Sequence, residues 1–141
     1  MKKQRILFLV HVEESFRQYF PDEAYAARLV RATRIYDHVI CLVSHVLDEK
    51  PIQELHWRTE NWEWGWGYEK DMFERKERKW IIPTYSPHEF TWVHPELRDP
   101  KKWENFEILV GGGCRNECLQ DFIDVLNYVG IKHRVIDGYV F

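Results

Sequence analysis

The chain has 141 residues, of which 45% are hydrophobic and 30% charged, and its formal net charge is -3. This length suits one domain with its own core, and the intermixed charges leave no basic segment for the phosphates of a nucleic acid. No apolar run approaches the roughly 20 residues of a membrane span, so no membrane partner is expected. Three cysteines, an odd number in a chain that needs no disulfide staples, favour a reducing compartment, and the predicted location is the cytoplasm.

The N-terminal third of the chain alternates between strand and helix patterns. Arg5 to Val12 is an apolar run of strand length, and it lacks the cleavage site that would make it a signal peptide. Residues 22–37 begin with acidic side chains and continue with apolar positions at helical spacing, which predicts an amphipathic helix. His38 to Ser44 is a second apolar strand. This order predicts a mainly parallel sheet flanked by helices, a three-layer α/β fold of the Rossmann-like type.

The middle of the chain is rich in aromatic residues, and we interpret residues 48–80 as an insertion within a single domain, 1–141. In NWEWGWGYE the tryptophans Trp62, Trp64 and Trp66 alternate with other residues, so an extended backbone places them on one side. The favoured interpretation of this apolar strip is a subunit interface or a flap over the core. The alternative is a wall that stacks on a ring-shaped substrate. We therefore expect a homo-oligomer.

The remaining elements lie toward the C-terminus. Trp80 to Ile82 predicts a brief strand, and the prolines from Pro83 to Pro100 predict mostly loop with one short helix. FEILV at 106–110 predicts a strand, and the glycines at 111–113 predict a turn. The next helix is expected to begin with Asn116 as N-cap and to stop at Gly130. HRVI at 133–136 predicts another strand, to which residues 139–141 add an edge.

Two cysteines lie where the predicted glycine turn leads into this helix. With Asn116 as N-cap, Cys118 lies beside unpaired N–H groups and the positive end of the helix dipole, both of which favour a thiolate. The same donors would hold a carboxylate, a phosphate or a developing oxyanion, and the glycines would let the backbone approach a ligand closely. In the alternative interpretation, Cys114 and Cys118 only pack beneath a tight turn.

The stretch ILVGGGCRNECLQDFIDVLNYVGIKHRVID resembles the signature of the isochorismatase-like cysteine hydrolases, which include nicotinamidases and carbamoyl-amide hydrolases. The matching positions are Gly112, Cys118 six residues later, Gly130 twelve residues after that, and Asp137. The N-terminal strand is also similar to the family's opening, with Phe16 in its final place. The resemblance implies a hydrolase in which Cys118 attacks a small amide or a related carbonyl compound.

In this family an aspartate and a lysine usually act together with the cysteine, and both are absent from the corresponding positions of this chain. The family's base is an aspartate that closes the first strand, and His11 takes its place here. The family's lysine has no counterpart ahead of Tyr85 and Ser86, where Lys79 is the nearest. These departures leave two interpretations open, a hydrolase with a new base or a non-catalytic protein that binds a small ligand or supports an assembly.

In the catalytic interpretation, His11 and Cys118 meet at the carboxyl edge of the sheet, and the imidazole takes the proton of the thiol. Glu13, Glu14 or Glu117 would orient the imidazole. Backbone N–H groups from Arg115 to Cys118 would hold the oxyanion. The candidate substrate-binding residues surround this position or belong to the tryptophan segment: Gly113, Cys114, Arg115, Asn116, Glu117, Glu13, Trp64 and Trp66.

No metal and no cofactor are expected at this site. His45, Asp48 and His56 follow the second strand, where some nicotinamidase-like proteins carry a metal triad, but their spacing does not match that motif. Arg115, next to the turn, would instead meet an anionic group of the substrate. The predicted partner is therefore a small molecule.

Overall fold

The computed structural model describes residues 3–44, 51–58, 62–64, 78–84 and 99–141. Six strands in these ranges form one sheet, and every pair of neighbouring strands is parallel. The strands are β1 (Gln4–Val10), β2 (His38–Ser44), β3 (Trp62–Trp64), β4 (Arg78–Thr84), β5 (Phe106–Gly112) and β6 (Arg134–Val140). Their order across the sheet is β3-β4-β2-β1-β5-β6. The predicted α/β Rossmann-like fold is confirmed.

Helical segments connect the strands. They are a 3-10 helix (Glu14–Tyr19), α1 (Tyr25–Ile35), α2 (Gln53–Arg58), α3 (Pro100–Trp103) and α4 (Cys118–Val129). Among these residues, no helix has the length and apolar character needed to cross a membrane. The predicted stop of α4 is confirmed, because Gly130 adopts a left-handed φ of 87° and donates its N–H to the carbonyl oxygens of the last turn.

Two hydrophobic clusters pack on the two faces of β1. Ile6 and Phe8 belong to the cluster that contains Phe122 of α4, whereas Leu7 and Leu9 belong to the cluster that contains Leu29 of α1. Successive side chains of a strand point to opposite faces, so β1 is apolar throughout because helices cover both of its faces. The apolar stripes predicted for α1 and α4 are buried as expected.

Several predicted strand boundaries are wrong, because strand pairing or backbone conformation sets them at other residues. β5 continues to Gly112 because Gly111 pairs with β1 and Gly112 pairs with both β1 and β6, so only Gly113 begins the turn. β6 is continuous and does not break after Ile136. β1 ends two residues earlier than predicted because His11 has a left-handed φ of 54°. β4 extends through Pro83 to Thr84.

Part of the predicted aromatic insertion forms an element of the sheet. Trp62–Trp64, for which an extended backbone was only one possibility, forms a strand that pairs with β4. Trp66, His45 and Asp48 lie outside the described residues, as do the tyrosine and serine at 85–86.

The sheet order reverses at β1. The next three strands of the chain, β2, β3 and β4, lie on one side of β1, whereas β5 and β6 lie on the other. Open α/β sheets bind ligands at the carboxyl ends of the strands that flank such a reversal. The residues that follow β1 and β5 therefore form the candidate site.

Candidate active site

Backbone hydrogen bonds fix the ends of three neighbouring strands at this edge. The N–H of His11 donates to the carbonyl oxygen of Leu42 at 3.0 Å, and the N–H of Gly113 donates to that of Val10 at 2.8 Å. His11 and the turn from Gly113 to Cys118 are thereby brought to the same corner of the sheet, as the sequence predicted from the order of the strands.

The three glycines before the turn pack against protein atoms. A Cβ on Gly111 would lie 2.5 Å from the Cβ of Tyr139, and a Cβ on Gly113 would lie 2.5 Å from the ring of Phe141. A Cβ on Gly112, whose φ is 95°, would overlap the backbone of Val10. The prediction that these glycines make room for a ligand is therefore wrong, because β1, β6 and the C-terminal segment already fill the space. Gly113 contributes to the site by its position alone.

His11 and Glu13 form a buried pair beyond the end of β1. The Nδ1 atom of His11 donates to Oε1 of Glu13 at 2.7 Å, and the side chain of Glu13 is 0% exposed. The imidazole also stacks on the ring of Phe16, with centroids 5.1 Å apart. The imidazole therefore bonds the carboxylate through Nδ1, and its other ring nitrogen, Nε2, takes no part in that bond.

This geometry identifies which glutamate orients the imidazole. The carboxylate of Glu14 bonds the guanidinium of Arg17 at 2.8 Å, and Glu117 is exposed in the turn before α4. Glu13 is the residue that holds His11. The side chain of Glu13 is 0% exposed, and its contact with a substrate stays a prediction.

Cys118 is the first residue of α4 and is half-buried. The predicted N-cap is one residue off, since Glu117 takes this position while Asn116 adopts a left-handed φ of 68°. The preceding turn contains a cis peptide bond between Gly113 and Cys114. Cys118 therefore begins α4 after the carboxyl end of β5, and its side chain packs partly against the core cluster that contains Phe122.

Some of the amides predicted to hold an oxyanion are already engaged. The N–H of Arg115 donates to the carbonyl oxygen of Phe141 at 2.6 Å, and the N–H of Glu117 donates to that of Cys114 at 3.0 Å. The predicted oxyanion donors are therefore narrowed to the amides of Asn116 and Cys118, because those of Arg115 and Glu117 are engaged.

The surroundings of Cys118 favour a protonated thiol. Burial raises the pKa of Cys118, and the negative charges of Asp121, Glu117 and Glu13 raise it further. The predicted thiolate is wrong in direction, because burial and three carboxylates outweigh the helix terminus. The pKa of Cys114 is also raised, first by burial and then by Glu117 and Cys118.

The three thiols are expected to differ in their rates of alkylation by iodoacetamide. Cys41 is completely buried, and burial strongly raises its pKa, so it should stay unlabelled in the folded protein. Labelling of Cys118 should be slow at pH 7 and should rise about tenfold per pH unit up to its pKa, because the thiolate is the reactive form. Mass spectrometry of peptides from samples labelled between pH 7 and 9 measures both rates. A rate for Cys118 that is already maximal at pH 7 would contradict the raised pKa.

Arg115, another predicted site residue, is exposed in the turn before α4. Arg115 is 56% exposed, and its guanidinium lies 3.8 Å from the carboxylate of Asp137, which is 89% exposed. Such a pair is worth little in water, so Arg115 remains available to an anionic group. Among the described residues, no group of three or more His, Cys, Asp and Glu side chains is placed to hold a metal ion.

An aromatic cluster that was not predicted from the sequence lies beside His11. The rings of Phe16 and Phe20 approach Phe141 with centroid distances of 6.4 and 5.0 Å, and Tyr25 lies edge-on to Phe141 at 5.8 Å. The only available signal was the family match at Phe16, since these residues lie far apart in the chain. The cluster forms one wall beside the imidazole.

Comparison with known proteins does not assign a relative to this chain. No family model matches it, and neither the curated proteins nor the solved structures contain a significant match.

Proposed function

We propose that this protein is a cysteine-dependent hydrolase of a small amide or a related carbonyl compound, a divergent member of the isochorismatase-like hydrolases. Cys118 is the nucleophile and His11 is the base. The observation that supports this function best is the buried hydrogen bond of 2.7 Å between His11 and Glu13, located beside the turn that presents Cys118. A base held by a third group and placed near a thiol is the arrangement that nucleophilic catalysis requires.

The raised pKa of Cys118 determines how the nucleophile is generated. The thiol keeps its proton in the resting enzyme, so Nε2 of His11 removes it as the sulfur attacks the carbonyl carbon. The carboxylate of Glu13 stabilises the imidazolium that forms, and this cation then gives its proton to the departing amine. A water molecule, activated by the same imidazole, hydrolyses the acyl-enzyme. The amides of Asn116 and Cys118 are the candidate donors to the oxyanion.

Turnover of a panel of small primary amides, measured as ammonia release, tests this function. Cys118→Ala is expected to abolish activity, and Glu13→Gln is expected to lower kcat by about 10²- to 10⁴-fold because the imidazolium loses its counter-charge. Glu14→Gln is the matched control, since this neighbouring carboxylate is exposed and bonds Arg17. Full activity in Cys118→Ala, or equal losses in the two glutamate variants, would contradict the proposed roles.

The second candidate function is a small-ligand binder or assembly subunit without catalysis. Its specific support is that burial and carboxylates oppose ionisation of Cys118. This candidate predicts that amides raise the melting temperature equally in the wild type and in Cys118→Ala, with no ammonia released by either. Turnover by the wild type would exclude it.

The proposed enzyme acts as a homo-oligomer in the cytoplasm on a small-molecule substrate. Its support is the tryptophan-rich segment, which suits a subunit interface, and the three cysteines, which are all free thiols.

A further inference from the structure

We propose that Cys114 and Cys118 form a reversible disulfide, which makes the turn before α4 a redox-sensitive site. The two cysteines are four residues apart, and both are half-buried free thiols. The disulfide itself does not depend on the hydrolase function. Its consequence for activity does, because a sulfur bonded to Cys114 is no longer a nucleophile.

Backbone hydrogen bonds hold the two cysteines close together. The carbonyl oxygen of Cys114 accepts from the N–H of Glu117 at 3.0 Å and from the N–H of Leu119 at 3.3 Å. Cys118 lies between these two donors in the chain, and it is close enough to Cys114 to act on it electrostatically. We infer that a turn closed in this way brings the two Cα atoms within the roughly 4.4–6.8 Å that disulfides span. Cys41 belongs to the cluster on the opposite face of the sheet from the one Cys118 packs against, and it is fully buried.

The proposed oxidant is a low-molecular-weight disulfide such as glutathione disulfide. The thiolate of one cysteine attacks it, which forms a mixed disulfide and releases one glutathione. The second cysteine, after losing its proton, attacks the protein sulfur of that mixed disulfide and releases the second glutathione. The two cysteines together lose two electrons and two protons, and the oxidant is reduced to two thiols.

The surroundings of the pair favour a disulfide that persists once formed. Strongly oxidising pairs are those in which the protein stabilises the reduced form as a thiolate. Here burial and the carboxylate of Glu117 act against a thiolate at both positions. The reduced form therefore gains no such stabilisation. The disulfide is uncharged, so the carboxylates of Glu117 and Asp121 do not repel it.

Peptide mapping tests the link directly, because Arg115 lies between the two cysteines. The full chain is incubated folded with glutathione disulfide, its remaining thiols are alkylated in denaturant, and it is digested with trypsin. Cleavage after Lys102, Arg115 and Lys132 places Cys114 in peptide 103–115 and Cys118 in peptide 116–132. We expect these two peptides to be joined and to separate on reduction. Before alkylation, the intact oxidised chain should be about 2 Da lighter than the reduced chain. After alkylation in denaturant, Cys41 should be fully labelled.

The variants Cys114→Ser and Cys118→Ser should each lose the joined peptide and carry glutathione on the cysteine that remains. Wild-type protein in which the two peptides stay separate, alkylated or glutathionylated, would overturn the proposal. So would a joined peptide found only in a covalent dimer. A wild-type chain that forms the link and still hydrolyses its amide substrate would instead count against Cys118 as the nucleophile, which separates failure of the proposed function from failure of the disulfide.

Discussion

Replacing Gly112 by alanine is expected to lower the free energy of unfolding by about 3 kcal/mol or more. Two independent causes act at this position. The φ of 95° lies in the region that only glycine adopts without strain, and a Cβ would overlap the backbone of Val10 in the neighbouring strand. The backbone of β1 cannot move away without breaking its hydrogen bonds to β2 and β5, so the clash cannot be relieved without a further loss of stability.

Urea unfolding of Gly112→Ala and Gly138→Ala provides the comparison. Gly138 is a matched control in β6, because a Cβ there would meet no atom within 4 Å. Gly138→Ala should change the free energy of unfolding by less than about 0.5 kcal/mol. Equal stability of the two variants would show that β5 does not pass as close to β1 as described.

Replacing His11 by alanine is expected to lower the free energy of unfolding by about 3 kcal/mol. The substitution removes the N–H that Nδ1 donates to the fully buried carboxylate of Glu13, and it removes the ring that stacks on Phe16. His11→Asn should recover part of the loss. Asparagine tolerates the left-handed backbone of position 11, and its amide offers a donor near the carboxylate.

Thermal or urea unfolding of these variants, with His133→Ala as the control, measures the contribution of the pair. His133 also bonds through Nδ1, but it is half-buried and its acceptor is the carbonyl oxygen of Ile131 at 2.9 Å. Losing that bond should cost about 1 kcal/mol. A loss in His11→Ala no larger than in His133→Ala would argue against a structural contribution of the buried His11–Glu13 pair.

The main elements of the fold could be predicted from local patterns. β2 was predicted at its observed bounds, and the apolar positions of α4, from Leu119 to Val129, are those that pack on the sheet. Both predictions depend on periodicity, which a strand or a helix shows in its own residues. The 3-10 helix at Glu14–Tyr19 was not predicted, because it is short and no residue in it is buried.

The chemistry of the candidate site could be predicted from the sequence less well than the fold. The order of the elements predicts that His11 and Cys118 lie at one edge of the sheet, and the structure shows that β1 and β5, which precede them, are neighbouring parallel strands. The choice of Glu13 over Glu14 did not follow, because it depends on which carboxylate is buried and which one Arg17 takes. The predicted direction of the Cys118 pKa was wrong for a related reason, since the shift depends first on burial and then on carboxylates that include Glu13, which is distant in the chain.

By itself, the sequence determined that the protein is a layered α/β fold with a parallel sheet, because the alternation of apolar strands and amphipathic helices is a property of neighbouring residues. It also placed a histidine and a cysteine at the carboxyl edge of that sheet. The tertiary structure alone decided that Gly111, Gly112 and Gly113 make room for the protein itself, that Glu13 holds His11, and that burial and nearby carboxylates raise the pKa of Cys118. Each of these depends on distances between residues far apart in the chain, and burial and Coulombic interactions follow such distances.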